Sequence, residues 1–381
     1  MNSNIILPKV VRQGVFKPGY IAYKDFDSGY YTVYKDVINY PGCAFYVAWS
    51  PRGPGKTYSV LDMCVHEGLK FIYLKRTLDD VDTICAKSLG MPIDEDPSPF
   101  APLNRDYGWN VEPVSIKKGE GVFVDMEQEG AKRPFGKIYS LSKVKSIKGM
   151  ELSSYDVIIL DEFIPQVHEI VRKKEADALL DLVRTVSRDR IARGKKPVML
   201  FLFANSESIA CPITAGLEIM DEMAEMAFNK ESIRYLEDRG ILLHNILPEE
   251  APKMLDTYVN DPLYKAMKGT KWQRKSYGGE FTNNDFSNIK VLNIKNMIPF
   301  IQINYNLHKY YIYYREDGQY YMCFNKAKCP RIFDLDKEND QKLFWAEECQ
   351  SLRVDCMEGR FAFQKYSMYD LIINYKNYFK V

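Results

Sequence analysis

The chain has 381 residues, 46% of them hydrophobic, which is enough for two cores and long for one. Its 52 basic and 51 acidic side chains leave a formal charge of +1, so there is no bulk attraction to polyanions and nucleic-acid binding would have to come from a local cluster. No apolar run reaches the roughly 18 residues of a membrane span, no N-terminal stretch reads as a signal peptide, the eight cysteines form no C-x-x-C pair and the four histidines lie at no ligand spacing. A soluble intracellular protein with reduced thiols is expected, and membrane, disulfide-framework and zinc classes are set aside.

Residues 1–43 are rich in Tyr, Lys and Gly without a sustained helical period, and read as an N-terminal extension. An apolar run from Ala44 then enters Ser50, Pro51, Arg52, Gly53, Pro54, Gly55, Lys56 and Thr57. This is the phosphate-loop pattern G-x-x-x-x-G-K-[ST] with Ser50 in place of the first Gly. The chemistry needs these residue types. Backbone N–H groups must point at a triphosphate without side chains in the way, which Gly53 and Gly55 permit. Lys56 would reach the β- and γ-phosphates, and the Thr57 hydroxyl would ligate magnesium. The plain alternative is a Pro/Gly turn that happens to end in Lys-Thr.

A helix is predicted over 57–66, from apolar Val60, Leu61, Cys64 and Val65, and a second parallel strand over 70–76. Residues 92–136 are studded with Pro, Gly and Asp and read as an insertion, with a hairpin near 121–126. The run Val157, Ile158, Ile159, Leu160 delivers Asp161 and Glu162, as expected of a buried strand with carboxylates at its C-terminal end. Paired with the upstream loop, this is the Walker B pattern. Asp161 would hold magnesium through water and Glu162 would deprotonate or polarise the attacking water.

A helix is predicted over 173–193, with Ala176, Leu179, Leu180, Val183 and Val186 on one face. Arg184 and Arg188 share another face; helix physics alone favours their neutralisation by Asp177 and Asp181 over an anionic partner. A buried strand over 197–204 ends in Asn205 and Ser206, where the amide either caps the strand or contacts a γ-phosphate. The Met-rich segment 215–228 reads as a core helix. Prolines at 248, 252 and 262 mark 246–262 as a linker. Three aromatic-rich segments from 299 onward read as an antiparallel meander, followed by helical structure. The expected division is therefore an extension (1–43), an α/β ATPase domain (44–245), a linker and a smaller α+β domain (263–381).

Spaced segments together resemble the double-stranded DNA packaging ATPases of the phi-29 type, bacteriophage motors of the additional-strand P-loop class. They are S-P-R-G-P-G-K-T at 50–57, F-I-Y-L-K-R at 71–76, L-S-K-V-K-S-I-K at 141–148, V-I-I-L-D-E-F at 157–163, R-T-V-S-R-D-R at 184–190 and A-N-S at 204–206. They cover the N-terminal two thirds. The resemblance implies a P-loop NTPase core with a mainly parallel sheet and a C-terminal RNase-H-like domain. It also implies ATP and Mg2+ as cofactors, and a homo-oligomeric ring, of five subunits, that threads double-stranded DNA through a procapsid portal in the host cytoplasm, with a structural packaging RNA as a further candidate partner. On it, Glu162 is the catalytic glutamate, Arg188 an arginine finger acting in trans, Lys148 a second cation in trans, Asn205 a γ-phosphate sensor, and Arg52 a coupler of nucleotide state to subunit motion. The segment 300–306 contains no carboxylate, so a nuclease-inactive C-terminal domain that binds DNA, portal or RNA is expected.

Two other readings share these residues: a FtsK/HerA-like cellular or plasmid DNA translocase, and a non-hydrolysing P-loop scaffold that binds nucleic acid. The set Lys56, Thr57, Asp161 and Glu162 speaks against the second. Lys117, Lys118, Lys143, Lys145, Lys271, Arg274 and Lys275 are candidate phosphate contacts, with a solvated charged face as the plainer account.

Overall fold

The computed structural model describes residues 28–86, 96–127, 134–147, 150–166, 169, 171–281 and 284–381, with the backbone alone at Lys145, Ser146 and Lys275. The chain divides into two compact units, Met1–Ser208 with Met226–Thr282, and Ile209–Glu225 with Asn283–Val381.

Among the described residues, the first unit is a mixed α/β layer around a nine-stranded sheet. Its strands are β1 (Phe45–Ser50), β2 (Phe71–Lys75), β3 (Val111–Lys117), β4 (Glu120–Asp125), β5 (Gly136–Ser140), β6 (Val157–Asp161), β7 (Met199–Asn205), β8 (Ile233–Leu236) and β9 (Ile241–Asn245), in the order β3-β4-β5-β2-β6-β7-β1-β9-β8. The six strands from β5 to β9 in that order are parallel. The apolar run of β6 is buried throughout because helices cover both faces of such a sheet, leaving no solvent side for polar alternation. The expected hairpin is the pair β3–β4, longer than predicted, and it extends the sheet antiparallel beyond β5.

Helix Lys56–His66 follows β1 and buries Val60, Leu61, Cys64 and Val65 as its spacing requires. Helix Glu175–Ser187 buries Ala176, Leu179, Leu182 and Val186, so Leu182 takes the core position while Leu180 and Val183 sit at its margin.

Residues 246–262 are not an extended linker. Pro252 and Pro262 are each the first residue of a helix, Pro252–Asn260 and Pro262–Ala266, where proline's missing N–H costs no hydrogen bond and its fixed φ suits the helix. Met254 and Tyr258 form a small core with Ala251, against which Tyr264 and Tyr277 pack, the last from helix Lys271–Gly278. All three helices belong to the first unit, so the compact second unit does not begin at 263.

The N-terminal extension contributes helix Val33–Asn39, capped by Thr32. A buried charge cluster fastens it to the sheet. His244 at the end of β9 contacts Asp36 through Nδ1 at 2.9 Å and Glu250 through Nε2 at 3.3 Å, and Tyr31 donates its hydroxyl to Asp36 at 2.6 Å.

In the second unit, β10 (Ile298–Tyr305), β11 (His308–Tyr314) and β12 (Tyr320–Cys323) form the expected antiparallel meander. β13 (Arg331–Asp334) runs parallel to β10 and β14 (Phe361–Phe363) parallel to β12, giving the order β13-β10-β11-β12-β14. The segment 209–225 is held in this unit by Asp221, which accepts from the Ser367 N–H at 2.8 Å and hydroxyl at 2.7 Å.

The His244 cluster makes stability depend on pH with a defined sign. Burial works to lower the His244 pKa, but hydrogen bonds and charge from Asp36 and Glu250 outweigh it and hold it at about 9 against an ordinary 6.5. A raised value means stabilisation that is full below the unfolded pKa and lost as pH rises through the folded one. Denaturant titrations should show stability falling between about pH 6.5 and about pH 9.5, by on the order of 2–3 kcal/mol. In His244→Gln that loss should be absent.

Candidate active site

Because β1 and β6 are parallel and separated only by β7, their C-terminal ends emerge at the same edge of the sheet, where open parallel sheets bind ligands. From β1, the loop 50–57 turns into helix Lys56–His66. Gly53 and Gly55 have φ of 89° and 97°, a backbone that side chains rarely adopt, and Gly55 is the helix N-cap. The successive N–H groups of such a loop and of the helix's first turn are unpaired within the helix and suit an anion.

Ser50 does more than stand in for glycine. It is fully buried, its hydroxyl donates to the Pro51 carbonyl at 2.5 Å, and its oxygen accepts a hydrogen bond from Lys56 Nζ. Burial lowers the Lys56 pKa to about 8, and the charges of Asp161 and Glu162 partly offset that effect. Thr57, the second helical residue, is half-buried. Pro54 gives its carbonyl to the Tyr31 N–H at 3.0 Å. Arg52 is exposed, and its carbonyl accepts from the Tyr258 hydroxyl.

At the end of β6, Asp161 and Glu162 are bridged by Lys75. Parallel pairing of β2 with β6 sets Leu74 opposite Leu160, which brings Lys75 level with Asp161. Its ammonium lies 3.2 Å from Asp161 Oδ2 and 2.8 Å from Glu162 Oε2, and Tyr73 adds a 2.7 Å hydrogen bond to the same Asp161 oxygen. Burial pushes the Asp161 pKa up, but Lys75 and Tyr73 outweigh it and hold the carboxyl below its ordinary value. The same balance works on Lys75, where burial lowers the pKa and the two carboxylates raise it above the usual lysine value. Glu162 is exposed, with φ of 58°. The arrangement can hold a cation at Asp161 and take a proton at Glu162.

Asn205, at the end of β7, pairs in register with Ser50 and is half-buried. The next residue, Ser206, donates its N–H to the Ser50 carbonyl at 3.2 Å, and its buried hydroxyl finds no hydrogen-bond partner among the described residues. Sequence reading gave no role to Tyr73, Lys75 or Ser206. Lys75 had a signal, since a charged residue ends an apolar strand beside the one that delivers the carboxylates.

The arginine-rich segment separates into different roles. Arg188 caps the C-terminus of helix Glu175–Ser187, is 77% exposed, and pairs with Asp189 at 3.9 Å. Arg184 is also exposed. Arg190 is buried and donates to the carbonyls of Ser153, Tyr155 and Lys196 at 2.7, 2.6 and 3.0 Å, and to Asp156 at 3.0 Å. Lys148 lies outside the described residues. Among the candidate phosphate contacts, Lys117 pairs with Glu120 at 2.9 Å and Arg274 with Glu280 at 3.6 Å, while Lys143 donates to the Lys118 carbonyl at 2.6 Å. Lys118 lies 4.0 Å from Asp79, and Lys271 is exposed.

Among the described residues no three His, Cys, Asp or Glu side chains converge on a metal position. A magnesium ion does not need them. It keeps several waters and takes one or two protein oxygens alongside phosphate, and a carboxylate at Asp161 with a hydroxyl at Thr57, delivered to the same sheet edge by β6 and by the helix after β1, fits that donor set.

Among solved structures, the chain is similar to one in the bacteriophage Phi-29 viral genome packaging motor assembly, at 16% identity and a TM-score of 0.61, covering 92% of this chain and all of that one. It is similar also to the Phi-28 gp11 DNA packaging motor, at 15% identity and a TM-score of 0.57, covering 92% of this chain and 98% of that one. No protein-family profile and no curated protein matches the chain. At these identities the likeness establishes a shared fold, that of phi-29-type packaging-motor chains, as the spaced motifs implied.

The two neighbouring arginines should separate in a stability measurement. Arg190→Ala leaves three carbonyls and Asp156 without their buried partner and should cost about 3–5 kcal/mol in a denaturant titration. Arg188→Ala, at an exposed site, should change stability by less than about 0.5 kcal/mol.

Proposed function

We propose that the chain is the ATP-hydrolysing subunit of a viral motor that moves double-stranded DNA into a procapsid. The observation that carries this reading is the meeting, at one sheet edge, of the 50–57 loop with the Asp161, Glu162 and Lys75 cluster, in a fold shared with packaging-motor chains. The first unit is read as a P-loop core of the additional-strand class, in which β7 stands between β1 and β6, and β6 brings in the glutamate.

ATP with Mg2+ supplies a phosphoryl group whose transfer to water releases free energy for movement. The backbone of 53–57 cradles the phosphates, and Lys56, already freed of much of its hydration, places its charge on their oxygens. Thr57 and Asp161 hold the metal. Glu162 orients the attacking water and takes its proton. Its hold by Lys75 keeps the base engaged until the site is occupied. Asn205, between the two strand ends, reads the terminal phosphate, with Ser206 beside it as a further donor.

Arg188, exposed at a helix end, serves a neighbouring subunit's site in a ring of five. Arg52 and its carbonyl contact to Tyr258 link the loop to the helices at 252–278. The second unit is read as RNase-H-like on its meander with a fourth strand parallel to the first. With no carboxylate in 300–306, it serves to bind DNA, portal or structural RNA rather than to cut. The motor works in the host cytoplasm.

One ATPase assay tests the reading. Wild-type turnover should rise on addition of duplex DNA, and Glu162→Gln should lower it by at least about a hundredfold while nucleotide binding persists. Arg188→Ala subunits mixed into wild-type rings should reduce turnover out of proportion to their fraction. Hydrolysis that survives Glu162→Gln removes the assigned base, and strictly proportional loss on mixing removes the action in trans.

A further inference from the structure

The segment just before helix Val33–Asn39 is fastened to the 50–57 loop, to the helix that follows it and to helix Pro252–Asn260. Tyr31 donates its N–H to the Pro54 carbonyl at 3.0 Å, and Val33 donates its N–H to the hydroxyl of Ser59, one turn into the helix after the loop, at 2.8 Å. From the other side, the Lys253 N–H donates to the Gly29 carbonyl at 3.1 Å. The Lys253 stem lies so close to Gly29, whose φ is +79°, that a Cβ there would stand 2.8 Å from its Cγ. Beneath all of these, the buried Tyr31, Asp36 and His244 cluster anchors the segment to β9.

These contacts fix the backbone on both sides of Tyr30, yet Tyr30 is 40% exposed. Its Cβ lies 3.9 Å from the position a Cβ on Gly55 would take, at the foot of the helix where the loop ends. The Lys253 ammonium sits over the ring at 5.8 Å from its centroid. An aromatic ring beside a phosphate-binding loop, on a backbone immobilised in advance, is what stacking of a flat ligand needs, because the backbone part of the ordering cost has already been met in the free protein.

We propose that Tyr30 is the platform on which the aromatic base of the bound nucleoside triphosphate stacks. The inference rests on the nucleotide-binding reading of the 50–57 loop and deepens it by assigning the base end of the ligand. The phosphates engage the loop and Lys56, and the base lies against Tyr30, displacing the Lys253 ammonium from the ring face. The His244 cluster positions the platform without touching the ligand.

The test compares ATP with inorganic tripolyphosphate, which has the phosphates but no base, by calorimetric titration of the full chain. Tyr30→Ala should weaken ATP binding by about tenfold or more and leave tripolyphosphate binding unchanged, while Tyr30→Trp should retain ATP affinity. Equal loss for both ligands would mean that Tyr30 only shapes the loop, and unchanged ATP affinity would mean that the base lies elsewhere; either overturns the platform while leaving the nucleotide reading in place. Failure of the wild-type chain to bind either ligand would overturn the nucleotide reading, and the platform with it.

Discussion

Strand register at one edge of the sheet is the constraint on which the candidate site depends. Parallel pairing sets Ser50 against Asn205 and Leu74 against Leu160, so Ser50, Asn205, Asp161 and Lys75 all emerge at strand ends on the same side. A slip of one residue in β2 would turn Lys75 to the opposite face and leave Asp161 with Tyr73 misplaced as well. The register is secured by burial, since the apolar residues of β2 and β6 are almost wholly inaccessible. The core thus determines geometry at the edge, and the chemistry inherits it.

Two lysines at that edge are held in opposite ways. Lys56 is buried against Ser50 and its pKa is lowered, whereas Lys75 is buried against two carboxylates and its pKa is raised. The difference lies in the partner. A hydroxyl compensates poorly for a buried ammonium, and two carboxylates compensate well. Lys56 is therefore the cation with most to gain from an incoming polyanion. Lys75 already has its anions. Next to it, Arg76 reaches the other way, to Glu175 at 3.0 and 3.1 Å, and ties the end of β2 to the helix that Arg188 caps.

Much of this was legible in the sequence where the signal is local. The loop, the helix after it, β6 with its two carboxylates and the aromatic meander each announce themselves through a run of neighbouring residues. What was not legible depends on pairing across the chain. Lys75 meets residues 86 and 87 positions away, and Tyr31 and Asp36 meet a histidine more than two hundred positions away, so no window of sequence contains either cluster. The prolines of 246–262 misled for a different reason. Proline breaks a helix interior but begins a helix well, and composition cannot distinguish the two uses. The assignment of 209–225 to the second unit likewise rests on contacts such as Asp221 with Ser367, which nothing in the Met-rich pattern signals.

The central claim is that the 50–57 loop and the β6 carboxylates form a single nucleotide site. A structure of the full chain with Mg2+ and a non-hydrolysable ATP analogue tests it most directly. The account predicts that Lys56 leaves the Ser50 hydroxyl for the phosphate oxygens, and that the metal lies between the Thr57 and Asp161 side chains with Glu162 facing the terminal phosphate. An analogue bound away from this edge, with Lys56 still on Ser50 and no metal beside Asp161, would contradict it.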